Sequence, residues 1–176
     1  MAMRTLGVAA ALVAALAAGP AVAGAADAPA AAPSAQDIAY LQAAHQSNLL
    51  EIATGQQAQQ KGRSQQVKDL GARFATDHTR LDQSLQQTAS SLGVPLAPAD
   101  AARQATERLD KVPARQYDRV WIPVQQAAHK AAMANGQQEI AHGSDAAAKQ
   151  DATAAAPVLE EHHALLNQAT SQIGNG

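Results

Sequence analysis

Apolar residues recur every three to four positions through four long stretches of this chain, the repeat of a helix with one buried face. Each stretch carries a histidine in the middle of its apolar stripe. In the first, the stripe is Ile38, Leu41, His45, Leu49, Ile52 and Gly55, with Glu51 well off it. In the second, Val67, Leu70, Phe74, His78, Leu81, Leu85 and Leu92 share one narrow arc at ~100° per residue. In the third, Tyr117, Val120, Trp121 and Val124 form a face that shifts after Pro123 to Ile122, His129, Met133, Gly136 and Ile140. The fourth runs Val158, Leu159, His162, Leu165, Leu166, Ala169 and Ile173, with His163 sideways and Glu160 outward. Such phases predict that His78 and His162 are more buried than His142 and His163.

Local signals set the boundaries. Ser34 followed by Asp37 reads as a capping box that starts the first helix, which runs to Lys61. Gly62-Arg63-Ser64 closes it and recaps a second helix over 65–92. Gly93, Pro95 and Pro98 then stop the chain, and a long crossover holds a short amphipathic helix near 100–110. Pro113 starts the third long helix, and Pro123 predicts a kink or break in it. Gly143-Ser144 ends that helix, and an alanine-rich segment leads to Pro157, either a first-turn residue or a kink.

The start of the chain has a different character. Met1 to Arg4 is a short basic segment, Leu6 to Ala18 is apolar, and Ala21-Val22-Ala23 has the small-x-small form of a cleavage site. The sequence therefore predicts a signal peptide over 1–23, an Ala/Pro-rich disordered leader over 24–34 and one helical domain over 35–173. The protein is expected to be exported, to the periplasm or the medium, with no transmembrane segment once the signal is cut.

Composition removes several functions. There is no cysteine, so disulfides, thiolate metal sites and a cysteine nucleophile are excluded. A net charge of −2, with scattered basic residues and four aromatics, gives no nucleic-acid surface. Ser64, Ser84 and Ser90 sit at caps or on surfaces with no nucleophile elbow. No enzyme activity and no partner is indicated.

The histidines carry what chemistry there is. His45 and His78 are 33 residues apart, and so are His129 and His162. Each pair straddles a turn near its midpoint, which in an antiparallel hairpin puts its members at similar height. The halves also align at an offset of 84, placing Asp77-His78 on Glu161-His162 and Ile38 on Ile122. The pattern reads as a duplicated helical hairpin folded into an antiparallel four-helix bundle. At least three of the four imidazoles are expected to meet, with Asp77 or Glu161 accepting from them.

The stretches Asn48-Leu49-Leu50-Glu51-Ile52-Ala53, Val67-Lys68-Asp69-Leu70 and Phe74-Ala75-Thr76-Asp77-His78 resemble a secreted bacterial family. It is catalogued as domain of unknown function 4142, within the ferritin-like superfamily. Tyr117-Asp118, His129 and Glu161-His162 fall where that family's second hairpin has similar motifs. The resemblance implies an exported ferritin-like fold and brings no activity.

Two readings of the core follow. In the sharper one, three or four of His45, His78, His129 and His162 ligate one zinc, copper, nickel or iron ion, with Asp77 or Glu161 orienting the rings. In the other, the rings only bond one another, and the protein is a structural or interaction module of the cell envelope. A di-iron oxidase fits less well. Glu160-x-x-His163 has the spacing but faces outward, and Glu51 and Glu139 are the only glutamates on the first and third helices.

Overall fold

The computed structural model describes residues 32–174, with side chains to 172, so the predicted signal segment, the side chain of Ile173 and nearly all the predicted leader lie outside what is described. The regular elements among the described residues are all helical: α1 (Ala35–Lys61), α2 (Gln65–Ser91), α3 (Asp100–Asp110), a 3-10 turn (Ala114–Gln116), α4 (Tyr117–His142) and α5 (Ala146–Gly174). Among them, no helix is long and apolar enough to cross a membrane. α1 and α2 form one hairpin and α4 and α5 a second; α1 also packs on α4, and α2 on α5. α3 crosses between the hairpins and lies against α1.

The caps read from sequence are present. Ser34 and Asp37 form a reciprocal capping box, and Ser64 accepts from the Val67 amide. Gly93 closes α2 with φ +67°, a left-handed conformation that glycine adopts without strain. The break at Pro123 does not occur. α4 is continuous through it, as α5 is through Pro157. Trp121, Ile122 and Gln125 are all buried around the proline, and their packing outweighs the ~3 kcal/mol cost of a proline in a helix.

The hairpins correspond at an offset of 81, one turn less than the 84 that superposes the histidines. At this offset Asp37 matches Asp118, Leu41 matches Ile122, Gly55 matches Gly136, Gly62 matches Gly143 and Leu85 matches Leu166. The acids explain the match. Asp118 accepts from the amides of Arg63 and Ser64, both at 2.8 Å, in the turn of the first hairpin. Asp37 accepts from the amides of Ser144 and Asp145, at 2.8 and 3.1 Å, in the turn of the second. Each hairpin's first helix thus pins the other hairpin's turn.

Backbone contact is closest where α1 meets α2. A Cβ on Gly55 would stand 2.6 Å from the carbonyl oxygen of Gly71, and one on Gly71 2.5 Å from that of Gly55. Their counterpart Gly136 has room, since an added Cβ meets only the Ala152 carbonyl at 4.0 Å. Gly71→Ala should therefore lower the stability seen in urea denaturation by roughly 2–3 kcal/mol, because two backbones must part. Gly136→Ala should raise it by about 1 kcal/mol, through a lower unfolded-state entropy. Equal effects would show that the two hairpins pack alike.

Candidate metal centre

The stripes deliver three histidines to one place. His78 from α2, His129 from α4 and His162 from α5 are all buried, and one ring nitrogen of each lies within 4.8 Å of the others. His142 is exposed and His163 partly so, as the helix phases require.

Each ring is held by an acceptor on one nitrogen, which fixes the tautomer of its neutral form. His78 Nδ1 donates to Asn48 Oδ1 at 2.9 Å. His129 Nδ1 donates to the Gln125 carbonyl at 3.0 Å, with Glu51 Oε1 at 3.4 Å. His162 Nε2 donates to Asp77 Oδ2 at 3.1 Å. The remaining nitrogens then carry lone pairs. His78 Nε2 is buried with no hydrogen-bond partner. His129 Nε2 and His162 Nδ1 face each other at 3.2 Å. Phe74 stacks on His162 at 4.3 Å between centroids and tilts against His129 at 4.9 Å, giving the rings an apolar wall.

These surroundings oppose protonation. Burial pushes His78 well below the ordinary histidine value, and the neighbouring His129 and His162 add to the shift. Burial pushes His129 down to about 4, against the bond to Gln125. His162 is also lowered by burial, partly offset by Asp77.

His45 does not join them. Its Nδ1 bonds Asp82 Oδ1 at 2.7 Å in a separate buried pair. The reason is the lean of side chains toward the N-terminus of their own helix. In an antiparallel hairpin, side chains of the first helix lean away from the turn and those of the second lean toward it. His45 and His78 are equidistant from the peptide between Lys61 and Gly62, the near edge of their turn, so His45 lies farther out and leans farther still. His129 and His162 are equidistant from the peptide between Asp145 and Ala146, the far edge of theirs. There the outer residue, His162, leans inward and the rings meet.

The acids also need correction. Asp77 takes the place expected for it, but Glu161 does not reach a ring. It pairs with Arg73 at 2.7 Å, and Arg73 in turn lies 3.5 Å from Asp77. Glu51, well off the apolar stripe, is nevertheless buried; it is 1% exposed, and burial raises its carboxyl well above the usual range. The Gln125 amide, oriented by its neighbours, donates to both Glu51 oxygens at 2.6 and 2.8 Å and accepts from Trp121 Nε1 at 3.0 Å. Glu160 is exposed. Val124 and Ile140 are exposed as well, while Gln125 and Glu139 hold the core side of α4.

Asn48, Gln125 and Asp82 are residues the stripes did not single out. For Asn48 the signal was present in α1, where Asn48, Glu51 and Thr54 recur at three-residue spacing and all are buried.

The shifts predict a pH dependence for the metal-free protein. His129 has an ordinary value of 6.5 and a folded value of about 4. Above pH 6.5 neither state takes a proton there. Below it the unfolded chain does, and stability falls until pH 4, by roughly 3 kcal/mol for this ring. Glu139 acts oppositely. Burial and Asp37 raise it to about 7, so stability falls as pH rises from 4.5 to 7. Glu51, also raised by burial, acts in the same sense as Glu139, so in a Glu51→Gln, Glu139→Gln background the melting temperature should climb steadily from pH 4 to 6.5. A flat profile there would show that the rings titrate normally.

The fold and site together define an all-helical protein with three buried histidines facing one another. The family model described as "Domain of unknown function (DUF4142)" matches residues 22–169. The chain belongs to this family. No curated protein and no solved structure matches it.

Proposed function

We propose that this protein is an exported four-helix bundle of the ferritin-like kind that holds one transition-metal ion between His78, His129 and His162. Two antiparallel hairpins joined by a long crossover support the architecture. One observation carries the metal. The 3.2 Å approach of His129 Nε2 to His162 Nδ1 sets two lone pairs against each other, because each ring spends its N–H on another acceptor. Unpartnered His78 Nε2 adds a third. Such a group wants a cation, and burial disfavours the proton.

The donor set suits zinc, copper, nickel or iron, and zinc best. Tetrahedral zinc at ~2.0–2.1 Å from each nitrogen sets its ligand atoms about 3.3 Å apart. Asn48, the Gln125 carbonyl and Asp77 would hold the rings in their ligating tautomers. Ferritin-like oxidation by two irons is not supported, since Glu160 and His163 stand outside the cluster and Glu139 lies beside Asp37.

Elemental analysis of full-length protein expressed with its signal and recovered from the export compartment tests this. About one equivalent of a single transition metal is expected, lost in a His78→Leu, His129→Leu double variant. Metal-free protein that also fails to take up added zinc, copper, nickel or iron would overturn it.

A further inference from the structure

The 81-residue correspondence gives the three-histidine chamber a mate, and the mate is hollow. His129 matches Asn48, His162 matches Leu81 and His78 matches Leu159, and all three matching residues line one cavity of about 360 Å³. Phe74 matches Ala155 and Glu51 matches Ala132, so two small side chains stand where the histidine chamber has a ring and a carboxyl. The space that one chamber fills with protein, the other leaves empty. Leu85, Met133 and Ile140 complete an apolar wall.

One polar group in the lining lacks a partner. Asp151 accepts from Ser84 through Oδ1 at 2.7 Å, but its Oδ2 is buried with none. A buried carboxylate oxygen without a donor is costly, and a ligand bearing an N–H group would satisfy it. A volume of this size suits a small organic molecule.

We propose that this second chamber binds a small amphiphilic amine, with its hydrocarbon part among Leu81, Leu85 and Leu159 and its ammonium group on Asp151. The site is separate from the three histidines, none of which lines it.

The test measures binding of n-octylamine, n-octanol and n-octanoate to full-length protein by calorimetry. Octylamine should bind at least about tenfold more tightly than octanol, and octanoate more weakly than either. Asp151→Asn should remove the preference for octylamine while octanol binding stays unchanged, a result that simple loosening of the fold would not give. Ala155→Phe, which supplies the ring that the mate chamber has, should abolish binding of all three. Gly136→Leu provides a second filled cavity, since an added Cβ there meets only the Ala152 carbonyl at 4.0 Å. Octanoate binding as tightly as octylamine, no binding of octylamine, or unchanged octylamine binding in a folded filled variant would overturn the proposal.

Discussion

Zinc added to the metal-free protein should raise its melting temperature by about 10 °C, and His78→Leu should erase that rise. A ligand present at ~1,000 times its Kd stabilises the folded state by about 4 kcal/mol, and each kcal/mol moves the melting point of a domain this size by ~2–4 °C. His78 is the informative ring. It reaches the cluster only through Nε2, and Nε2 has no other partner. In leucine the ring is replaced by an apolar group of similar bulk; Asn48 Oδ1 loses its donor while the unpartnered Nε2 is removed, so without zinc the variant should be destabilised only modestly, by about 1–2 kcal/mol. His45→Leu provides the contrast, because that ring bonds Asp82 and stands outside the cluster. It should lower the melting point while leaving the zinc-dependent rise intact. A His78→Leu protein that still responds fully to zinc would place the ion elsewhere.

A large loss of stability is expected for Asp37→Ala, whose carboxylate is fully buried. This carboxylate takes the Ser34 amide at 2.6 Å and the Ser34 hydroxyl at 2.7 Å, completing the cap of α1. It also takes the Ser144 hydroxyl at 2.7 Å, beside the Ser144 and Asp145 amides of the second turn. Removing the acceptor leaves partly buried donors from two elements without their partner, at a cost on the order of 3–5 kcal/mol. The melting point should fall by roughly 10–15 °C. Asp118→Ala, which abandons two amides, should cost about half as much. The sign with pH is fixed. Burial pulls the Asp37 carboxyl up, but the bonds from Ser144, Ser34 and Asp145 outweigh it and hold the group well below its ordinary 3.8. Its contribution is present above that value and fades as pH falls below it, so wild type and Asp37→Ala should converge in strong acid. A constant gap down to pH 2 would mean that Asp37 acts through packing and not through charge.

The sequence by itself determined the helices and much of the core, because both depend on short-range chemistry. Ser34 with Asp37, Gly62, Ser64 and Gly93 act within a turn of their own position, and α1 ends at Lys61 as they require. The stripe of α2 placed Phe74 and His78 inside, because six apolar or aromatic positions fix a phase that one polar ring cannot move. The buried face of α1 departs from its apolar stripe, since it mixes Leu41 and Tyr40 with Asp37, Asn48, Glu51 and Thr54. Hydropathy counts such residues as outward, and only their partners on α2, on α4 and at the second turn bring them inward. Pro123 shows the same limit, since its local cost is legible and the packing that outweighs it is not. The tertiary structure alone decided which histidines meet. Equal spacing made the pairs His45/His78 and His129/His162 look equivalent, but the turns are offset from their midpoints in opposite directions. Side chains that lean along the helix convert that small offset into contact for one pair and separation for the other.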